Sequence, residues 1–363
     1  MDLFFFGAGQ YGLAALEKYN QIKSDTVVFK GFIDNKKSGT WGEYPIFNLG
    51  DIKYDDCLVV ITMENHFAVC DVYSQLKNVG IKKVYWFMNW EYAEEGAEFL
   101  DVQCINCTNW GDAVLPRLEM HIADHCNLNC KGCTHYAPLF EKKLPDRNEV
   151  IFGLKMLVEK LSNIAVLSIL GGEPFLNPEI QLYIKEIRSI LPNTYIQIVT
   201  NGLLIPFLGD EVLKCIADNN VLVRISEYKP TVSLRDRIEK KLRQYKITYR
   251  IQPYDDKQKF VKPLSLSENS IYPKKCISNG CVNIWNGKIA RCPSLMFIEK
   301  FNEVFETKLP VQGIMSLETC PSGKKLLDML NEEVPLCKHC VYNEMDWGQC
   351  TGEPQLEDFA TDK

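Results

Sequence analysis

Apolar runs of strand length alternate with helical spacings along most of the chain. "LFFF" (3–6) leads through "GAGQYG" (7–12) into a helical stretch from Leu13 to Asn20. "TVVFKGFID" (26–34) and "CLVVIT" (57–62) follow, then a helical spacing from Val69 to Val79 and "KKVYWF" (82–87). Continuous apolar runs separated by helical patterns predict βαβ units on a parallel sheet, because helices cover both faces of such strands. A second alternation occupies 117–254. Its strand candidates are "RLEMHIADH" (117–125), "AVLSILGG" (165–172), "YIQIVTNG" (195–202), "VLVRISEY" (221–228) and "ITYRIQPY" (247–254). Helical patterns lie between them near 147–162, 178–191, 210–219 and 234–245. From about 270 the pattern breaks into short strands, turns and cysteines. No repeat of solenoid length is present. The expected fold class is α/β, with a sheet domain over 1–90, a linker over 91–116, a second α/β unit over 117–265 and a small module over 266–363.

Composition narrows this only at a few points. The 363 residues suffice for two or three cores, and 46% hydrophobic with 24% charged residues is ordinary for a globular chain. A net charge of −6 supplies no basic field for nucleic acid, and "EKKLRQYK" (239–246) reads as a solvated helix face. "MDLFFFGAG" has no basic start, and its apolar run is too short for a signal peptide or a membrane span. Without an export signal, fifteen cysteines point to metal or redox chemistry in the cytoplasm rather than to a disulfide framework.

The densest cysteine stretch is "CNLNCKGC" (126–133), directly after a predicted strand. Four thiolates would close a cubane cluster; three leave one iron open, as a catalytic site requires. A zinc site with His121, His125 or His135 as fourth ligand is the alternative. The stretch resembles the CxxxCxxC signature of radical S-adenosylmethionine (SAM) enzymes. "LGGEPFLNPEI" (170–180) is similar to that family's GGEP segment, "IVTNGLL" (198–204) to its TNG segment, and "VRISEY" (223–228) to a SAM-facing strand. The resemblance covers about 117–255 in the family's order. It implies a partial (β/α)6 barrel and a [4Fe–4S] cluster on Cys126, Cys130 and Cys133. SAM would be chelated by the open iron and split by one electron to a 5′-deoxyadenosyl radical that abstracts hydrogen from substrate. It further implies that Glu173 and the backbone of Gly171 and Gly172 meet the SAM amino group. Thr200, Asn201 and Ser226 would reach its ribose or carboxylate, with Arg235 or Arg237 as further candidates. A reducing partner such as flavodoxin or ferredoxin is implied. The residue before the third cysteine is usually aromatic in the family and lies near the adenine. Here it is Gly132, which leaves that role to His135 or Tyr136.

"CISNGCVNIWNGKIARC" (276–292) and "CKHC" (337–340) supply further thiolates. They resemble the SPASM or shorter twitch modules that follow many radical SAM barrels, and so imply an auxiliary [4Fe–4S] cluster. Cys276, Cys292, Cys337 and Cys340 are the best ligand set, with Cys281 able to replace Cys276, and Cys320 and Cys350 nearby. A zinc ribbon is the alternative. "CINC" (104–107) is either a partial metal site or two buried thiols, while Cys57, Cys70 and Cys215 fall in core patterns.

The first turn places Gly7, Gly9 and Gly12 as G-x-G-x-x-G after an apolar run, with Asp34 ending the next strand. Such glycines let backbone approach a phosphate at a helix N-terminus, and the acid can accept from ribose hydroxyls. The stretch 31–52 is similar to the Rossmann-like N-terminal domain of bacterial sugar acetyltransferases, which implies a nucleotide-linked sugar. These readings converge on a radical SAM enzyme acting on a sugar, nucleotide-sugar or glycan intermediate. A peptide- or protein-modifying radical SAM enzyme, and a non-catalytic metal-binding scaffold or redox sensor, are the alternatives.

Overall fold

The computed structural model describes residues 1–22, 26–52, 56–89, 98–255, 259–268, 276, 278 and 280–361. It divides into two compact units, Met1–Pro116 and Arg117–Lys363. Among the described residues no helix is long and apolar enough to cross a membrane.

The first unit is a seven-stranded sheet of β1 (Asp2–Phe6), β2 (Val28–Ile33), β3 (Gly39–Trp41), β4 (Tyr44–Phe47), β5 (Cys57–Ile61), β6 (Lys83–Phe87) and β7 (Cys104–Asn106). Its order is β3-β4-β2-β1-β5-β6-β7. The five central strands are parallel and both edges antiparallel. β5 is buried at every position, as a doubly covered parallel strand should be. Helix His66–Asn78 starts where the Asn65 side chain accepts from the amides of Phe67 and Ala68 at 3.0 and 3.3 Å, satisfying two of the helix's unpaired donors. Two details depart from the sequence expectation. The hairpin β3–β4 was not foreseen, because "GTW" and "YPIF" are too short to show a period. The stretch expected as a linker instead carries a short helix, Phe99–Gln103, and the edge strand β7; residues 90–97 lie outside the described residues.

The second unit contains β8 (Val114–Ala123), whose first residues close the preceding unit, and then β9 (Asn163–Gly171), β10 (Tyr195–Thr200), β11 (Leu222–Ser226) and β12 (Tyr249–Gln252). It continues with β13 (Lys259–Ser265), β14 (Val282–Trp285), β15 (Lys288–Ala290), β16 (Met315–Ser316), β17 (Cys340–Asp346) and β18 (Ala360–Thr361). Eight strands form one sheet in the order β12-β11-β10-β9-β8-β14-β15-β16. All five strands expected between 117 and 254 are present, and β9 through β12 pair in parallel. Arg117–Lys363 is one compact unit that includes the expected boundary at 265. β13 leaves the large sheet to pair with β17 and β18, while β14 returns to lie parallel beside β8, with Asn283 opposite Glu119. The cysteine-rich region is therefore knitted into the second sheet rather than appended to it. A hydrophobic core built from Tyr136, Phe297, Phe301, Leu336 and Phe359 joins the three-cysteine loop to the C-terminal segments.

Candidate functional site

Because β9 to β12 are parallel, their C-terminal ends share one edge of the sheet. The glycine pair, Thr200–Asn201 and Ser226 are about thirty residues apart in sequence but adjacent in space, and the cysteine loop follows neighbouring β8. These segments surround a cavity of about 400 Å³. Cys126, Cys130, Cys133, Gly171, Gly172, Thr200, Asn201 and Ser226 all line it. The sequence reading missed Tyr228, Gln252, Phe260 and Val261, which complete the wall. β12 and β13 carry the last three; nothing in the spacing of residues 252–261 marks them as site residues.

The glycine pair has a local packing reason. A Cβ on Gly171 would sit 2.0 Å from the Ala123 oxygen, and one on Gly172 would sit 2.0 Å from the His125 oxygen. The Gly172 and Glu173 amides donate to those same two carbonyls at 2.8 and 3.1 Å. The end of β9 thus clamps the first residues of the cysteine loop.

Glu173 is wholly buried and does not line the cavity. Its carboxylate accepts from Thr200 Oγ1 at 2.8 Å, the Asn201 amide at 2.9 Å and the Phe175 amide at 3.1 Å, tying β9 to β10. Burial nevertheless pushes its pKa up to about 7, against those three donors. A raised folded-state pKa favours the native state below the free value and loses that benefit as pH rises through the folded value. Stability of the metal-free protein should therefore fall by up to about 3 kcal/mol between roughly pH 4.5 and 7, at ~1.4 kcal/mol per unit. Glu173→Gln should flatten that slope in urea denaturation; an unchanged slope would assign the pH dependence elsewhere.

The three thiols are set in different surroundings. Cys126 is pushed up to about 12 by burial, and Asn201 Nδ2 approaches its sulfur at 3.7 Å while bonding Asn127 Oδ1 at 2.6 Å. Cys130 is likewise raised by burial, and Trp347 Nε1 donates to its sulfur at 3.2 Å. At Cys133 burial acts upward, but the His135 imidazole outweighs it and the thiol falls below its ordinary range. His135 is drawn up to about 9, since Cys133 and Glu119 overcome the opposing effect of burial. Glu119 is buried too, yet His135, Arg117 and Asn283 hold it well below the usual carboxylate range.

The histidines offered as a fourth zinc ligand stand in three different surroundings. His121 packs on Phe297 and His135 at ring separations of 4.5 and 5.0 Å, His125 Nδ1 lies 3.3 Å from the Lys143 oxygen, and His135 Nε2 lies 3.3 Å from Glu119. Among the described residues no three His, Cys, Asp or Glu converge on a single ion. Thiolates of a multi-iron cluster bind different irons and need not converge in that way. The donor set fits such a cluster: three thiols on one loop, lining one cavity, each beside a hydrogen-bonding side chain.

Of the further SAM-binding candidates, Arg235 bonds the buried Glu227 through Nε at 2.7 Å, and Arg237 lies over the Phe207 ring. Neither lines the cavity. Tyr136 is fully buried in the core against Phe301 and Phe359, whereas His135 does reach the cavity wall. A Cβ on Gly132 would lie 3.2 Å from the Val261 oxygen, 3.4 Å from the Met345 sulfur and 3.7 Å from the Phe260 ring.

The later cysteines form a second group. Burial pushes Cys292 and Cys340 up to about 12, and Cys276 is close enough for its charge to raise both. Cys337 adds to the rise at Cys340 and receives an Arg291 guanidinium N–H at 3.6 Å. Four thiols grouped this closely suit a cationic cluster, which would bind them as thiolates. Cys281 lies instead beside Glu119 and Arg117, and Cys320 donates to the Leu317 oxygen. Cys350 is placed at the first group, where its charge raises Cys130 and the charge of Cys133 raises it in turn. Tyr136 feels Cys340, Cys292 and Cys133, and so stands between the two groups.

In the first unit, Gly7 (φ +123°) would carry a Cβ 2.7 Å from the Thr62 oxygen, and one on Gly12 would meet the Gly7 oxygen at 2.1 Å. Gly9 faces open space. Asp34 accepts from the Ala8 amide at 3.0 Å and from the Lys36 and Lys37 amides at 2.8 and 3.1 Å, so its carboxylate braces the glycine turn. Cys104 and Cys107 are buried, and burial raises both thiols well above their ordinary range.

Comparison with known proteins adds the following. No curated protein matches the chain. Among solved structures, anSMEcpe with bound AdoMet and Cp18Cys peptide is 18% identical over 38% of this chain and 42% of its own, with a TM-score of 0.30. This chain thus spans about two fifths of that relative's length. Streptococcus suis SuiB bound to S-adenosylmethionine is 17% identical over 39% and 33%, with a TM-score of 0.30. BtrN in complex with AdoMet and 2-DOIA is 12% identical over 62% and 92%, with a TM-score of 0.38. Residues 120–249 match the Radical SAM superfamily, a span holding Cys126, Cys130, Cys133, Gly171, Gly172, Thr200, Asn201 and Ser226. The similarity to the Radical SAM superfamily is thus confined to residues 120–249, which hold the cavity's cysteine loop and the ends of β9 to β11.

Proposed function

We propose that this protein is a radical SAM enzyme that abstracts hydrogen from a sugar, nucleotide-sugar or glycan intermediate. The observation that carries the reading is the convergence of the three cysteines, the glycine pair, Thr200, Asn201 and Ser226 on one cavity. Cys126, Cys130 and Cys133 would hold a [4Fe–4S] cluster; Cys276, Cys292, Cys337 and Cys340 would hold an auxiliary one. When bound, the first cluster and SAM supply a single electron and a hydrogen-abstracting radical. The chain's own residues bind and orient. Asn201 and Ser226 present polar groups to the cavity, while Tyr228 and Phe260 give it an aromatic wall. Glu173 fixes the ends of β9 and β10 relative to one another.

The substrate class rests on the first unit. Its glycine turn stands at the C-terminal end of β1, where open parallel sheets bind nucleotides, and Asp34 holds that turn in shape. Reconstitution with iron and sulfide under anaerobic conditions, followed by reduction and addition of SAM, should yield 5′-deoxyadenosine. Nucleotide-sugars should raise the yield. Stimulation by peptides instead would replace the sugar reading, and a chain that binds no SAM would end the radical SAM reading.

A further inference from the structure

The C-terminal segment is hydrogen-bonded to the three-cysteine loop at residues 128–132. The Lys131 amide donates to the Gly348 oxygen at 2.9 Å, and the Cys350 amide to the Asn129 oxygen at 2.9 Å. Cys130 and Gln349 form an antiparallel bridge. The Gly132 amide donates to the Asp358 oxygen at 2.8 Å, and Lys131 Nζ lies 2.9 Å from the Asp358 carboxylate. Residues 347–358 thus strap the loop from outside, more than two hundred residues away in sequence.

The strap delivers one side chain to a sulfur. Trp347 Nε1 stands 3.2 Å from Cys130 Sγ, closer than the 3.7 Å between Asn201 Nδ2 and Cys126. An indole N–H can only donate, so the direction of this contact is fixed whatever the protonation of its surroundings. The ring is also held from its far side. It lies tilted on Tyr228 with centroids 5.6 Å apart and meets Tyr254 edge-on at 6.4 Å.

Resting on the cluster assignment above, we propose that Trp347 is a positioning residue that sets the reduction potential of the cluster on Cys126, Cys130 and Cys133. A donor on a ligating thiolate stabilises the reduced cluster, which carries one more negative charge, more than the oxidised one. The potential is thereby raised. Low local polarity strengthens the effect. The strap's backbone pairing keeps the donor in register with the loop.

The test is an EPR-monitored redox titration of the reconstituted full chain without SAM, with dithionite as the electron donor. Trp347→Phe keeps the aromatic packing and loses the N–H. It should move the midpoint to a more negative potential with iron content unchanged. Gln349→Ala loosens the strap through the loss of its amide contact to the Leu128 oxygen. It should lower iron retention and leave the midpoint of the remaining cluster in place. An unshifted midpoint in Trp347→Phe, or an equal shift in both variants, would overturn the proposal. A wild-type chain whose three cysteines hold no cluster would overturn the cluster assignment, and the inference with it.

Discussion

Cys126→Ala is expected to abolish 5′-deoxyadenosine formation and to remove one cluster's worth of iron while leaving the fold intact. Cys126 is a partly exposed loop residue whose sulfur is approached only weakly by Asn201, so the loss of the thiol creates little cavity. A cluster held by two thiolates on one loop is not retained, since both remaining ligands must then share its whole affinity. Cys292→Ala should act on the other group: its iron is lost, but SAM cleavage by the first site survives. Iron and acid-labile sulfide per chain, measured with 5′-deoxyadenosine in the same samples, separate the two. Loss of all the iron in each single variant would mean one shared cluster. Retention of SAM cleavage in Cys126→Ala would remove the loop from the chemistry.

Gly172→Ala should be nearly as damaging without touching a ligand. The new Cβ would lie 2.0 Å from the His125 oxygen and 2.7 Å from the Cys126 nitrogen, all backbone atoms with no rotamer to yield. Either the β9 end or the cysteine loop must move, at a cost of about 3 kcal/mol or more. Movement of the loop displaces Cys126 directly, so iron retention should fall along with the unfolding midpoint. Gly9→Ala is the contrast, since its Cβ would meet nothing within 4 Å. Its effect on stability should stay within about 1 kcal/mol. A Gly172→Ala protein with wild-type stability and iron content would show that the clamp between β9 and the loop does not hold the site.

The strand positions were legible because buried parallel strands need continuous apolar runs, and those runs survive in any context. "LFFF", "CLVVIT", "AVLSILGG" and "YIQIVTNG" all became strands of the two sheets. Short elements were not legible. β3, β4 and β7 have three or four residues each, too few to show a period, and they take strand form by pairing with longer neighbours. The same limit explains the boundary at 265. β14 is four residues long, and only its fit beside β8, with Asn283 bonded to Glu119 at 3.1 Å, draws the cysteine-rich region into the large sheet.

For the site, local order in the chain determined the chemistry on offer: three thiols within eight residues, a glycine pair, a Thr–Asn pair and a serine at the ends of predicted strands. Their types and spacing depend only on covalent neighbours, so the sequence alone carried them. What each of them touches was decided by tertiary structure. Glu173, expected to meet the SAM amino group, takes three hydrogen bonds that brace the ends of β9 and β10. Arg235 found the buried carboxylate of Glu227, because an unpaired charge at that depth would cost several kcal/mol. Phe260 and Trp347 reach the cysteine loop from strands and turns more than a hundred residues later. Contacts at such separation leave no periodic trace in a sequence, since they arise from how sheets close on one another and not from the spacing of residues along a chain.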